Sequence, residues 1–492
     1  MQELKYKTID LATKEDKQAF NKIRDNAKYR PLFHITPPHG LLNDPNGFCF
    51  YNNEYHLFYQ WYPFNTFHGM KHWMHLTSVD LIHWNEHGAK ITPVESYESH
   101  GAYSGAAFVE KNKAYLFYTG NVKQGLKRDA NQCIALLDED NKVNKFAGNP
   151  VIHSVPHGYT GHVRDPKILK RDNGYFMLLG AQREHDMKGT LLVYQSKDLF
   201  NWEVLGELEI QVSGEFPDAY MYECPDLLNV DGNDVLIFSP QGIEPQGHRF
   251  HNKFNVVYCI GQLNIETLSF TVNHWDELDR GFDFYAPQTL ANAHDTVSNS
   301  ETLIAWAGTD DELPSAEYGW INCLTLPRTL AVKEKRLYQY PTNLLVENKH
   351  CVKSKMNISD TSVLNSTLDV NPLSFIVEVN GDLFRNEIEF SLVSESGRKL
   401  QLNISGNSIK LSRENYDHHM IDWPYGNKRV CETDYDINDI TFVCDQSIIE
   451  IFINKGRDVF TCLFFPEEEK HRLMLVNKKE IELDIKLTYL TK

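Results

Sequence analysis

One hairpin recurs through the first two thirds of the chain at nearly constant spacing, and nothing else restricts the fold as much. Residues 47–51 run into Asn52-Asn53 and then 55–59; residues 106–109 run into Asn112 and then 114–118. The pattern returns as 167–169 around Asp172-Asn173-Gly174 to 175–179, and as 226–228 around Asp231-Gly232-Asn233 to 235–238. A weaker fifth copy turns near Ser298-Asn299-Ser300 before 303–306. The turns at 52, 112, 172, 231 and 298 lie 60, 60, 59 and 67 residues apart, and Ser78-x-Asp80-Leu81-x-x-Trp84 reappears 118 residues later as Ser196-x-Asp198-Leu199-x-x-Trp202. Aromatic and β-branched runs broken by Asn, Asp and Gly are strand-and-turn chemistry. A strand-rich unit of about 60 residues is too long for a solenoid coil and suits a four-stranded propeller blade. Five copies predict an all-β fold led by a five-bladed β-propeller over residues 31–335.

The flanks read differently. Residues 1–30 are polar, and Thr13 is placed to cap a short helix with Phe20, Ile23 and Ala27 on one face, an N-terminal helical extension. After Pro327 the repeat stops, and residues 336–350, charged and holding Pro341, read as a linker. Alternation without the 60-residue period then follows. The hairpin 440–444, Asp445-Gln446-Ser447, 448–453 and the runs 407–411 and 481–490 predict a β-sandwich over 351–492.

Hydrophobic residues are 41% of the 492, too many for a disordered chain. The formal charge of −18 repels phosphate backbones and anionic lipid, so nucleic acid and membrane are not expected partners, although a local basic pocket stays compatible with it. No run of about 18 apolar residues exists, and the first ten residues lack the basic and apolar regions of a secretion signal, which predicts a cytoplasmic protein. Nine scattered cysteines without a CxxC pair read as reduced thiols, neither a disulfide frame nor a zinc site.

The repeat also places acids in register. Asp44, Asp165 and Glu223 lie 8, 7 and 8 residues before their turns, with Ser104 at the corresponding place in the second copy. Equivalent strand starts in a propeller converge on one end of its axis, so three carboxylates would face one pocket. Each precedes a proline closely (Asp44-Pro45, Asp165-Pro166, Glu223-Cys224-Pro225), which predicts extended backbone at the strand entry. Gathered like charges raise at least one carboxyl pKa, as a general acid at neutral pH requires. A carboxylate pair serving as nucleophile and acid/base is the equipment for glycoside cleavage. Metal binding is the competing use of three carboxylates, but no EF-hand-like spacing supports it, and neither metal nor cofactor is expected.

Several ordered blocks carry a resemblance: His39-Gly40-Leu41-Leu42-Asn43-Asp44-Pro45-Asn46-Gly47, Tyr103-Ser104-Gly105, Arg164-Asp165-Pro166, Glu223-Cys224-Pro225, and Gly281-Phe282-Asp283-Phe284-Tyr285-Ala286-Pro287-Gln288. With Leu324-Thr325-Leu326-Pro327-Arg328 and Glu450-Ile451-Phe452-Ile453-Asn454, they resemble the glycoside hydrolase family 32 invertases and fructanases across nearly the whole chain. The resemblance implies a retaining β-fructofuranosidase acting on a small sugar. Asp44 would be the nucleophile, Glu223 the acid/base and Asp165 the transition-state stabiliser. It also implies a fructose subsite of Leu41, Leu42, Asn43, Gln60, Trp73, Tyr103, Ser104 and Arg164, although plain packing also explains Gln60 and Trp73. Leu42 and Tyr103 depart from the family's usual Trp and Phe, which bears on the pocket rim.

Residues 67–73, Phe-His-Gly-Met-Lys-His-Trp, resemble the sucrose-6-phosphate hydrolases of that family. His68, Lys71 and His72 are therefore candidate phosphate ligands. Two other readings stand beside this one: hydrolysis of unphosphorylated sucrose or short fructans, and a carbohydrate-binding protein whose catalytic set has decayed. Oligomeric state is not readable from the sequence.

Overall fold

The computed structural model describes residues 5–490 except 27, 126, 292–300, 310–311, 343–350, 359–360, 364–372, 384–385, 417–425 and 478–480. The fold is all-β. The helix Lys14–Arg24 begins at a capping box, with Thr13 accepting from the Asp16 amide and Asp16 accepting from the Thr13 amide. Its Phe20 stacks on His39 with ring centroids 3.7 Å apart. Among the described residues no helix is long and apolar enough to cross a membrane.

Residues up to Pro341 build five sheets of four or five strands, and two six-stranded sheets follow. Four of the five expected hairpins form at the expected turns. Gly40–Tyr51 pairs with Glu54–Tyr62 through Asn52-Asn53, whose φ angles are 49° and 63°. Lys111-Asn112 and Asp231-Gly232 likewise hold positive φ at both positions. Two consecutive left-handed residues twist a two-residue turn with the strands, and Asn, Asp and Gly tolerate that conformation at least cost. The fifth turn, 298–300, lies outside the described residues, but the strands flanking it, Tyr285–Thr289 and Thr302–Ala307, pair antiparallel. Residues 336–341, expected in a linker, instead form the strand Arg336–Pro341, because Leu337 and Gln339 alternate inward against Arg328–Lys333. Trp320–Ile321 returns to pair in parallel with the start of Gly40–Tyr51, tying the end of the repeat to its beginning.

Four of these sheets share one irregularity. Between Leu42 and Pro45, Arg164 and Lys167, Glu223 and Asp226, and Tyr285 and Gln288, three steps on one strand oppose two on its partner. Each is a β-bulge, which breaks the in/out alternation and re-aims side chains. Pro45, Asp165, Cys224 and Ala286, from four of the sheets, border a single narrow cavity together with Ser104, which lies just ahead of the fifth sheet's strand Ala107–Glu110.

Residues from the two six-stranded sheets, including Phe375, Phe390, Phe442 and Ile451, share one apolar core. The hairpin expected at 440–453 forms from Asp439–Asp445 and Ile448–Ile453. Its Glu450 points away from that core and meets Arg328 and His34. Eight cysteines with described side chains are free.

Candidate active site

A cavity of about 400 Å³ opens over the bulges and is bordered by Asn43, Asp44, Gln60, His68, Lys71, Tyr103, Ser104, Arg164, Asp165 and Glu223. The bulges explain how neighbours in sequence both reach it: Asn43 with Asp44, and Arg164 with Asp165. The backbone there is not extended as the prolines suggested. Asp165 has φ 67° and Cys224 φ 46°, left-handed values unusual for such residues and held by the ladder on either side.

Asp44 ends a chain of hydrogen bonds. Lys71 Nζ donates to Asn43 Oδ1 (2.5 Å), Asn43 Nδ2 to Gln60 Oε1 (2.6 Å), Gln60 Nε2 to Ser104 Oγ (2.8 Å), and Ser104 Oγ to Asp44 Oδ2 (2.6 Å). This chain fixes one carboxylate oxygen of the acid. Cys224 links the acids: its amide donates to Asp165 Oδ2 at 3.0 Å, and its Sγ lies 4.0 Å from Asp44 Oδ2.

Glu223 is held from two sides. Arg164 Nε and Nη2 donate to Oε1 at 2.9 and 2.5 Å, and the Tyr285 hydroxyl donates to Oε2 at 2.5 Å. Arg164 also lies 4.0 Å from Asp165 Oδ2. One cation thus serves two acids. Burial pushes the Asp44 carboxyl up, and the Glu223 charge adds to the rise. Burial raises Asp165 to about 7, with Arg164 opposing and Glu223 reinforcing the shift.

Several expected site residues stand elsewhere. Leu41, Leu42 and Trp73 are at most 1% exposed and sit in apolar cores. Trp73 meets Phe58 and Tyr118 and donates to the Tyr103 carbonyl, so it supports the wall from behind. His72 is fully buried, with Nδ1 on the Met70 carbonyl and Nε2 accepting from the Ile9 amide, and burial lowers it to about 4. A neutral imidazole with both nitrogens engaged behind the strand is no phosphate ligand, which corrects that expectation.

Sequence reasoning assigned no role to Tyr285, although the signal was present. Aligned on their prolines, Asn43, Arg164, Glu223 and Tyr285 occupy one position, two before Pro45, Pro166, Pro225 and Pro287, and all four border the cavity. It also missed an aromatic wall, Phe254 and Trp306, and a rim of Lys5, His100, Lys123 and Arg128. Among the described residues no group of three or more His, Cys, Asp or Glu is placed to hold a metal ion.

An all-β scaffold that converges carboxylates beneath a sugar-sized cavity defines a carbohydrate-processing enzyme. The sequence matches the glycosyl hydrolases family 32 N-terminal domain over residues 34–341 and the family's C-terminal domain over 426–490, and the chain belongs to this family of glycoside hydrolases. It is 37% identical to the sucrose-6-phosphate hydrolase of Vibrio alginolyticus over 472 residues, 95% of this chain and 92% of that protein. It is 33% identical to the enzyme of the same name from Bacillus subtilis, covering 94% of each. The structure of sucrose-6-phosphate hydrolase from Lactobacillus gasseri superposes with a TM-score of 0.89 at 29% identity, covering 100% of this chain and 99% of that one. The Bombyx mori GH32 beta-fructofuranosidase gives 0.82 at 28% identity, covering 98% and 99%.

Proposed function

We propose that this cavity hydrolyses sucrose-6-phosphate to glucose-6-phosphate and fructose, with retention at the fructosyl carbon. The observation that carries the chemistry is the meeting of Asp44, Asp165 and Glu223 in one cavity, the last two sharing Arg164, in a chain whose relatives include sucrose-6-phosphate hydrolases. We further infer that the five small sheets are blades of one propeller, expected within 31–335 and carried to Pro341 by the strand Arg336–Pro341, followed by a sandwich within 351–492, and that the enzyme works in the cytoplasm, where a sugar phosphorylated on entry is found.

In the first step a carboxylate oxygen of Asp44 bonds to the anomeric carbon. The bond to the glucosyl oxygen breaks, and a proton from Glu223 goes to that oxygen. In the second, Glu223 takes a proton from water, the hydroxide attacks the same carbon, and Asp44 is released. Two inversions give retention, which requires the working carboxyls about 5 to 5.5 Å apart. Asp165 holds fructose hydroxyls as positive charge builds on the ring. Tyr285 serves both states of Glu223. It donates to the carboxylate at 2.5 Å, and the Ser239 carbonyl lies 3.4 Å away as an alternative acceptor once Glu223 carries a proton to donate back.

The test is kcat/KM for sucrose-6-phosphate and for sucrose side by side, with Asp44→Asn as blank. A preference for the phosphorylated sugar of about tenfold or more, about 1.4 kcal/mol, is expected. Equal rates would move the protein to an invertase reading with the same chemistry, and turnover surviving in Asp44→Asn would remove the mechanism.

A further inference from the structure

Building on the sucrose-6-phosphate reading, we propose that the phosphate group is held by Lys5, Lys123 and Arg128 at the cavity mouth. All three border the cavity that contains Asp44, Asp165 and Glu223. They reach it from three separate elements. Lys123 and Arg128 belong to the strands Lys113–Gln124 and Lys127–Leu137, and Lys5 lies ahead of the 3₁₀ turn Ile9–Leu11.

Lys123 and Arg128 are direct cross-strand partners, a like-charge pairing that destabilises a hairpin. Lys5 is brought to the same rim by its carbonyl, which accepts from the Met70 amide at 2.8 Å. Among the described residues none of the three forms an ion pair with a carboxylate, whereas Arg164, Lys167, Arg280, Arg328 and Arg413 each do. In a chain of formal charge −18, three uncompensated cations on one rim are a local exception. Burial, and then the charges of Arg128 and Lys5, push the Lys123 ammonium below its ordinary value, the mark of repulsion that an anion would relieve.

The placement fits the substrate's length. Asp165 is 6% exposed at the floor, while Lys5 is exposed at the mouth. A fructosyl ring reaching Asp44 must leave the glucosyl ring, with its 6-phosphate, toward that mouth. The guanidinium of Arg128 lies 5.7 Å from the Tyr103 ring centroid, which orients its fork. Lys71, by contrast, donates to Asn43 beside the nucleophile, at the fructose end.

The experiment compares sucrose-6-phosphate with sucrose for the full-length enzyme, Lys123→Gln, Arg128→Gln and the charge-conserving Lys123→Arg. The ratio of the two kcat/KM values should fall about tenfold or more in each glutamine variant, mainly through KM, and be largely kept in Lys123→Arg. In the unaltered enzyme, raising NaCl should increase KM for the phosphorylated sugar more steeply than KM for sucrose, a readout that needs no variant. An unchanged ratio in both glutamine variants, with the salt dependence equal for the two sugars, would overturn the phosphate site while leaving the substrate reading intact. An unaltered enzyme that shows no preference would overturn the substrate reading, and this proposal with it.

Discussion

Two of the clusters that bury carboxylates against cations in this molecule are balanced in opposite ways. Where the first five sheets meet the last two, Arg328 donates to Glu450 at 2.5 Å and to Asp279 at 3.1 Å, while His34 bridges Asp445 at 2.8 Å and Glu450 at 2.9 Å. The amides of Leu32, Phe33 and His34 complete Asp445. Burial alone would lower His34 and raise Glu450, yet their partners win, holding His34 up to about 9 and Glu450 down to about 2. In the cavity, Arg164 faces two acids and Asp44 has only Lys71 behind Asn43, so burial wins and Asp44 and Asp165 rise. A compensated cluster is inert and holds parts together. An under-compensated one holds Asp44 and Asp165 above the ordinary carboxyl range, at a cost in stability.

Substitutions in the two clusters should therefore fail in different currencies. Asp44→Asn should lower kcat by about four orders of magnitude with little change in melting temperature, read by steady-state kinetics beside a thermal melt. Arg328→Met, which leaves Glu450 and Asp279 buried without their cation, should cost about 3 to 5 kcal/mol in denaturant unfolding while folded protein keeps its kcat. If Arg328→Met instead spared stability and abolished turnover, the distinction between the clusters would collapse. Tyr285→Phe removes one donor from Glu223 and should lower kcat about tenfold, about 1.4 kcal/mol, with a smaller change in KM.

A further effect is one of pH. Asp165 is held up to about 7 in the fold against 3.8 in the open chain, so between these values the folded state binds a proton the unfolded chain has released. Stability should fall as pH rises from about 4 to about 7, and Asp165→Asn should remove that decline and gain stability above neutrality, at the expense of activity. His34 behaves differently: its folded value is raised above 6.5, so its contribution is complete below about 6.5 and disappears as pH passes about 9. Glu450, lowered from 4.5, contributes fully above about 4.5 and loses that contribution toward about 2. Unfolding curves for Asp165→Asn and His34→Gln across pH 4 to 10 separate the two slopes.

Much of this was legible in the chain because it is periodic. Turn residues such as Asn52-Asn53 and Asp231-Gly232 announce a backbone only they adopt cheaply, and their spacing predicted both the hairpins and the register that gathers Asp44, Asp165 and Glu223. What escaped was set by local departures from that regularity. Pre-proline sterics argued for extended backbone at Asp165 and Cys224, but the bulges hold positive φ, since hydrogen bonding on both sides fixes the ladder ends. The resemblance carried by residues 67–73 suggested His72 as a ligand, but strand alternation turns it to the face opposite Lys71. The basic rim joins Lys5 to Lys123 and Arg128 across more than a hundred residues, a juxtaposition no short motif encodes.

The most direct test of the central claim is to find where the fructosyl group goes. Glu223→Gln is incubated with a β-fructofuranoside bearing an activated leaving group, quenched in acid, digested and mapped by mass spectrometry. The account predicts one added fructosyl mass on the peptide that carries Asp44, absent when Asp44→Asn is added to the same variant. A fructosyl group on a peptide carrying Asp165, or turnover with inverted configuration and no labelled peptide, would contradict it.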